Sequence, residues 1–302
     1  MGYDRRSVLQ LLGAGTIGST AMGTSSSKNL ENNSGEKGAY EINTGEHAQV
    51  GNGKIETFLV TESNEPAALG VRFNADMLNG LPQEPTDGKY DNPGNTAPCC
   101  GHETVLDFPD DTGNTLNFQW FMLNWNPEGH PPPEVYTDPH FDLHFYLMDH
   151  NKRPEIVNGT CKDHYTAVTC KTLGRGMMPV PAELNPPDYV TQGFVEPGMG
   201  DHRVDLTAPE WNGKQFTHTF LYGAYDGQIT FFEPMITKAF FESMNPSFLQ
   251  DHYREVRSSI KLPNYFSEPG WYPTEYVVRY LYGEEMYLVS LESFTKFDSP
   301  DD

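Results

Sequence analysis

Basic residues are scarce in this chain of 302 residues: 20 Lys and Arg stand against 42 Asp and Glu, for a formal net charge of -22. That balance opposes nucleic acid and anionic membrane surfaces as partners, since both demand clustered cations. The acidic residues are spread along the chain, the pattern of a solvated surface adapted to high salt. Long apolar runs are missing as well. The stretch from Val8 to about Ala21 is too short and too rich in Gly for a transmembrane helix, so no membrane insertion is expected. No Gly-x-Ser-x-Gly is present, which excludes a nucleophile elbow. There is no internal repeat and no nucleotide fingerprint; Gly13-Ala14-Gly15 belongs to the N-terminal apolar segment.

What the N-terminus does contain is Asp4-Arg5-Arg6-Ser7-Val8-Leu9-Gln10, a twin-arginine pattern followed by a modest apolar region. Residues 1–23 are therefore expected to be a twin-arginine signal segment, and the protein to be secreted or extracytoplasmic. That route carries folded proteins, often with a cofactor already in place. Residues 24–53 are rich in Ser, Asn, Gly and Glu and poor in apolar side chains, which predicts a disordered linker. Residues 54–302 are expected to form a single β-rich domain.

Cysteine is sparse, with four in the chain. In an exported protein they meet a disulfide-permissive compartment. Cys161 and Cys170 close a short loop and are the preferred pair, a bridge worth roughly 2–3 kcal/mol in the chain-entropy model. For the adjacent Cys99 and Cys100, a vicinal disulfide, bonds to other partners and free thiols all stay open.

From Lys54 onward, short runs rich in β-branched and aromatic residues alternate with Gly, Pro, Asn and Asp turns. Examples are Ile55–Val60, His102–Phe108, Phe216–Tyr222 and Ile229–Glu233, the last two joined by a hairpin signal at Tyr225-Asp226-Gly227-Gln228. Helices are expected only over Met235–Met244 and Ser247–Ile260, while Met177–Pro197 reads as an irregular, proline-studded excursion. The fold class is all-β, a mainly antiparallel sandwich or barrel with a small C-terminal helical appendage.

The central stretch is Asp138-Pro139-His140-Phe141-Asp142-Leu143-His144-Phe145-Tyr146-Leu147-Met148. Phe141, Leu143, Phe145 and Leu147 alternate with His140, Asp142 and His144, the pattern of a strand with one face in the core. A helix starting at Pro139 is the rival reading and would place His140 and His144 four apart on one face. On a strand, residues two apart are separated by roughly 6.6 Å and residues four apart by roughly 13 Å, so one ion is easily reached by neighbouring pairs only. The plain alternative is a polar outer face without a ligand.

Three further stretches carry a resemblance: Leu123–Pro132 running into Pro139–Tyr146, then Met199–Asp205, then Tyr222–Gly227 to Phe232–Met235. Together they resemble an uncharacterised family of exported proteins that includes a homodecameric bacterial protein controlled by an extracytoplasmic-stress sigma factor. The resemblance spans about Lys54 to Phe297 and implies a mainly β protomer and a homo-oligomer; it implies no activity. Arg203 departs from the aromatic residue of the family pattern and puts a cation beside His202.

Two functions follow as expectations. In the first, His140, His144 and His202, with Asp142 or Glu233, form a divalent-metal site for zinc, iron, copper or manganese, and no organic cofactor is needed. An ion with an open coordination position would make the protein a hydrolase or oxygenase. In the second, the chain is a non-catalytic, oligomeric envelope or stress protein that binds a partner or small ligand without metal. Glu233 reads equally as a strand-end acid, His218 as a core histidine, Asp226 as a turn former, and His130 as loop packing or a support behind the ligands.

Overall fold

The computed structural model describes residues 17, 26–30, 40–89, 100–156, 174–245 and 253–298. The twin-arginine residues, Cys99, Cys161 and Cys170 lie outside them, so the Cys161–Cys170 pairing falls there too; Cys100 is disulfide-bonded. No helix among the described residues is long and apolar enough to cross a membrane.

Two antiparallel seven-stranded sheets face each other, giving the expected all-β sandwich. The first sheet comprises β1 (Ser26–Leu30), β2 (Tyr40–Val50), β3 (Gly53–Glu62), β4 (Glu65–Asn74), β12 (Tyr253–Ser259), β13 (Gly270–Leu281) and β14 (Met286–Phe297), in the order β1-β2-β3-β4-β14-β13-β12. The second comprises β5 (His102–Asp107), β6 (Trp120–Asn126), β7 (His140–Tyr146), β8 (Tyr189–Glu196), β9 (Gly200–Asp205), β10 (His218–Tyr225) and β11 (Gln228–Thr237), in the order β5-β6-β7-β11-β10-β9-β8. Alternate residues of both sheets fill one core between them. Leu69, Val71, Phe73, Val278, Tyr280 and Val289 of the first sheet meet Phe121, Leu123, Phe141, Leu143, Phe145 and Phe232 of the second. The β10–β11 hairpin turns at Asp226 and Gly227, with φ of 56° and 76°. Two positive φ values in a two-residue loop match the right-handed twist of the flanking strands.

Three expectations are corrected. The disordered linker of residues 24–53 instead supplies β2, paired with β3 from Tyr40↔Glu62 to Val50↔Gly53, and β1 beside it. Tyr40–Val50 is a peripheral strand that exposes Glu46, His47 and Gln49 to water, so low hydrophobicity did not prevent pairing. Within Ser247–Ile260, Tyr253–Ser259 is strand β12, not helix. Its Glu255 and Arg257 take part in cross-strand ion pairs, Arg279 Nε to Glu255 Oε2 at 2.6 Å and Arg257 Nη1 to Glu275 Oε2 at 2.8 Å. The excursion Met177–Pro197 contains β8.

The expected helix over Met235–Met244 shrinks to Lys238–Ser243, because β11 runs on through Thr237. The Thr237 hydroxyl caps it, accepting from the Phe240 amide at 3.1 Å. Thr237→Ala is expected to lower the unfolding free energy by about 1 kcal/mol, the usual scale for a lost cap. Urea denaturation checks this; an unchanged midpoint would show that sheet pairing alone fixes the turn.

Candidate functional site

The pleat that sends Phe141, Leu143 and Phe145 into the core sends His140, Asp142 and His144 to the outer face of the second sheet. That face is roofed over: His140 is 0 % exposed, Asp142 6 % and His144 1 %. Register then decides which neighbours join them. Asp142 pairs with Asn124 of β6 and Met235 of β11, and Phe145 with Phe232, which sets Glu233 beside His144 on the same face. His202 of β9 pairs with Gly223 of β10, whose other neighbour is Phe231, so His202 shares that face as well.

All five sequence-predicted residues therefore lie on one face, but they form two groups, not one. Within each group, ligand atoms lie within 4.8 Å of one another. In the strand triad, Nε2 of His144 lies 3.4 Å from Glu233 Oε1 and Nε2 of His202 lies 3.5 Å from Glu233 Oε2. In the loop triad, Asp142 stands between His140 Nε2 at 3.1 Å and His130 Nε2 at 3.5 Å. His130 is the member that sequence reasoning did not place. It comes from the loop between β6 and β7, and only the fold back from Asn126 to His140 brings it over Asp142. Its one sequence signal was position, in a Gly-His-Pro segment leading into the histidine strand. Glu196, at the end of β8, is a second acid not foreseen; its charge acts on His130, Asp142 and Glu233.

Hydrogen bonding fixes how the loop triad points. His130 Nδ1 lies 2.7 Å from the Pro131 carbonyl and His140 Nδ1 lies 2.7 Å from the Asp138 carbonyl. A carbonyl can only accept, so Nδ1 carries a proton in both rings and Nε2 is the nitrogen that faces Asp142. A metal-ligating histidine is held in this way by its other ring nitrogen. Asn126 Nδ2 donates to Asp142 Oδ2 at 2.7 Å and orients the carboxylate. In contrast, both ring nitrogens of His144, His202 Nδ1 and Glu233 Oε2 are buried without a hydrogen-bond partner, and His140 Nε2 and Asp142 Oδ1, 3.1 Å apart, have none but each other. Buried polar atoms are normally paired, so a concentration of bare ligand atoms at one spot points to a missing partner.

The two triads have the same ligand types and opposite protonation. Burial pushes the His144 imidazole down to about 4. Burial, then the neighbouring His144 and His130, push His202 down to about 3. Burial, with Asp142 and Glu196 nearby, raises the Glu233 carboxyl well above the carboxylate range. The strand triad is thus shifted toward neutral imidazoles and a protonated carboxyl, away from an ion pair. Burial also acts upward on Asp142, but His140 and His130 outweigh it and hold its carboxyl well below the usual range. Burial acts downward on His130, yet its hydrogen bond to Asp142 and that charge raise it. Burial lifts Glu196 to about 6.

Chemically, each triad offers two imidazole nitrogens and one carboxylate, a donor set suited to zinc, iron, copper or manganese, with coordination positions left over. Arg203 points elsewhere: its Nε donates to Asn185 Oδ1 at 2.6 Å and its Nη1 lies 3.3 Å from Asp201 Oδ2, so it does not enter the strand triad. His218 bonds the Tyr276 hydroxyl at 2.7 Å, as a packed histidine does. A cleft of about 460 Å³ lined by residues such as Arg175, Tyr225 and Tyr272 contains no member of either triad. Comparison with protein-family models, curated proteins and solved structures gave no match, so the geometry of the site carries the functional argument.

Proposed function

We propose that this protein binds divalent transition-metal ions, one in each triad, on the outer face of its second sheet. The observation that carries the reading is the two clusters of buried ligand atoms, those on His144, His202 and Glu233 without hydrogen-bond partners and those on His140 and Asp142 facing only each other. A buried carboxylate without a cation is expensive. Asp142 and Glu233 have no Lys or Arg at salt-bridge distance among the described residues, and Glu196 adds a third acid nearby. With all three acids ionised and the imidazoles neutral, one dication would leave one negative charge and two would leave one positive charge, so the count of two ions follows from the two separate triads. Three protein ligands per ion leave positions for water or substrate, the arrangement by which a bound metal acts as Lewis acid or redox centre. Export by the twin-arginine route would let a folded, loaded protein leave the cytoplasm, and we carry export and homo-oligomeric assembly as part of the proposal.

The test is metal content by mass spectrometry on full-length protein purified without chelator. Wild type is expected to hold about two ions per protomer, with His144→Ala and His140→Ala each losing one while keeping their fold by circular dichroism. Protein that takes up no zinc, iron, copper or manganese, even after dialysis against each, overturns the proposal in favour of a partner-binding protein without metal.

A further inference from the structure

We propose that the two triads exchange their ions at different rates: the loop triad trades its ion with solvent through His130, and the strand triad retains its own. The inference rests on the metal-binding reading above and adds to it a division of labour between the sites.

Access differs first. The His130 side chain is 29 % exposed, the largest value in either triad. In the strand triad the values are 1 % for His144, 1 % for Glu233 and 12 % for His202. An ion leaving the loop triad needs one exposed ring to swing outward. An ion leaving the strand triad must pass ligands that are almost wholly enclosed.

Anchoring differs second. His144, Glu233 and His202 stand on β7, β11 and β9, all hydrogen-bonded into one sheet. None can move far without breaking ladder bonds on both sides. Phe231 also packs against the rings of His144 and His202, with centroids 4.9 and 5.2 Å away. His130 instead rides on the β6–β7 loop, held by its amide to the Tyr136 carbonyl at 2.9 Å and by Nδ1 to Pro131. Gly129, at φ +67°, makes the tight turn beneath it; a Cβ there would stand 2.2 Å from the Tyr136 carbonyl oxygen. The loop thus holds His130 over Asp142 by two local hydrogen bonds and not by a strand ladder, on the element type that opens most readily in folded proteins. His140, 0 % exposed, and Asp142, 8 %, form the floor beneath it.

The experiment uses full-length protein loaded with zinc and challenged with excess chelator, zinc release being followed by a chromogenic indicator. Wild type is expected to release one ion fast and a second at a rate lower by on the order of tenfold or more, the scale on which supporting contacts alter metal retention. His130→Ala should remove the fast ion and leave the slow phase unchanged; Glu233→Gln should remove the slow ion and leave the fast phase. His130 lies in an exposed loop, and its variant is checked for an unchanged unfolding midpoint. Wild type that never binds zinc, or any other metal tried, defeats the metal-binding reading itself. Two ions leaving at one rate, or a slow phase lost in His130→Ala, overturns only the division between the sites; a single ion overturns the reading of one ion in each triad as well.

Discussion

Metal-free protein is expected to lose less stability between pH 6.5 and 4.5 than its two depressed histidines alone would withdraw, and to lose it more steeply below 4.5, at up to roughly 1.4 kcal/mol per pH unit for each group involved. His144 and His202 titrate near 6.5 when unfolded and at about 4 and about 3 when folded. The unfolded chain binds the extra protons, so these two groups withdraw stability as pH falls below 6.5. Glu233 and Glu196 work the other way. Their folded values lie above the ordinary 4.5, so between those values and 4.5 the folded state binds the extra protons and gains stability as pH falls. Two losses and two gains offset one another down to about 4.5. Below it the acids are spent, the histidines continue, and Asp142, depressed below 3.8, joins the loss. Glu233→Gln removes one compensating acid, so it should lose more stability than wild type as pH falls from 6.5 to 4.5, by up to roughly 1.4 kcal/mol per pH unit. Urea denaturation at stepped pH in the presence of chelator measures both curves. Parallel curves for wild type and Glu233→Gln would sink this account of the charge states.

That balance was only half visible in the sequence. Strict alternation over His140–Leu147 was enough to place His140, Asp142 and His144 on one face of a strand and to favour that reading over the rival helix. The partition into two triads was not legible, because it depends on register: Phe232 meets Phe145, and Glu233 therefore reaches His144 rather than Asp142. A one-residue slip would have sent Glu233 into the core. His130 was read as loop packing or a support and not as a ligand, because a loop residue has no periodicity to read; the chain reversal between Asn126 and His140 brings it over Asp142. The same limit explains β12. Tyr253–Ser259 carries Glu255 and Arg257, whose partners Arg279, Glu275 and Glu292 lie on β13 and β14, so the stabilising pairs are distant in sequence and a local reading mistook the charged run for a helix face. Polar β2 was missed because it is a strand by pairing rather than by composition.

Gly223→Ala is expected to reach the strand triad without touching a ligand. Gly223 stands between His202 on β9 and Phe231 on β11, at the point where the β10–β11 register shifts. An added Cβ would lie 2.0, 2.2 and 2.3 Å from carbons of the Phe231 ring. Its backbone is not in a glycine-only conformation; the small residue is there because the ring crosses directly over the strand. Phe231 cannot yield freely, since it packs against His144, His202 and Tyr146. The methyl group should therefore cost about 1–3 kcal/mol of stability, the range for overpacking a filled site. It should also shift the two histidine rings and cut ion retention in the strand triad on the order of tenfold, with the loop triad unaffected. Combining Gly223→Ala with Phe231→Leu removes the clashing ring carbons and should recover part of both losses, a coupling that independent sites would not show. Chemical denaturation and chelator-release kinetics on the two single variants and the double variant measure it. If Gly223→Ala keeps wild-type stability and releases its slow ion at the wild-type rate, then Phe231 does not buttress the site, and the rigidity of the strand triad must come from the sheet ladder alone.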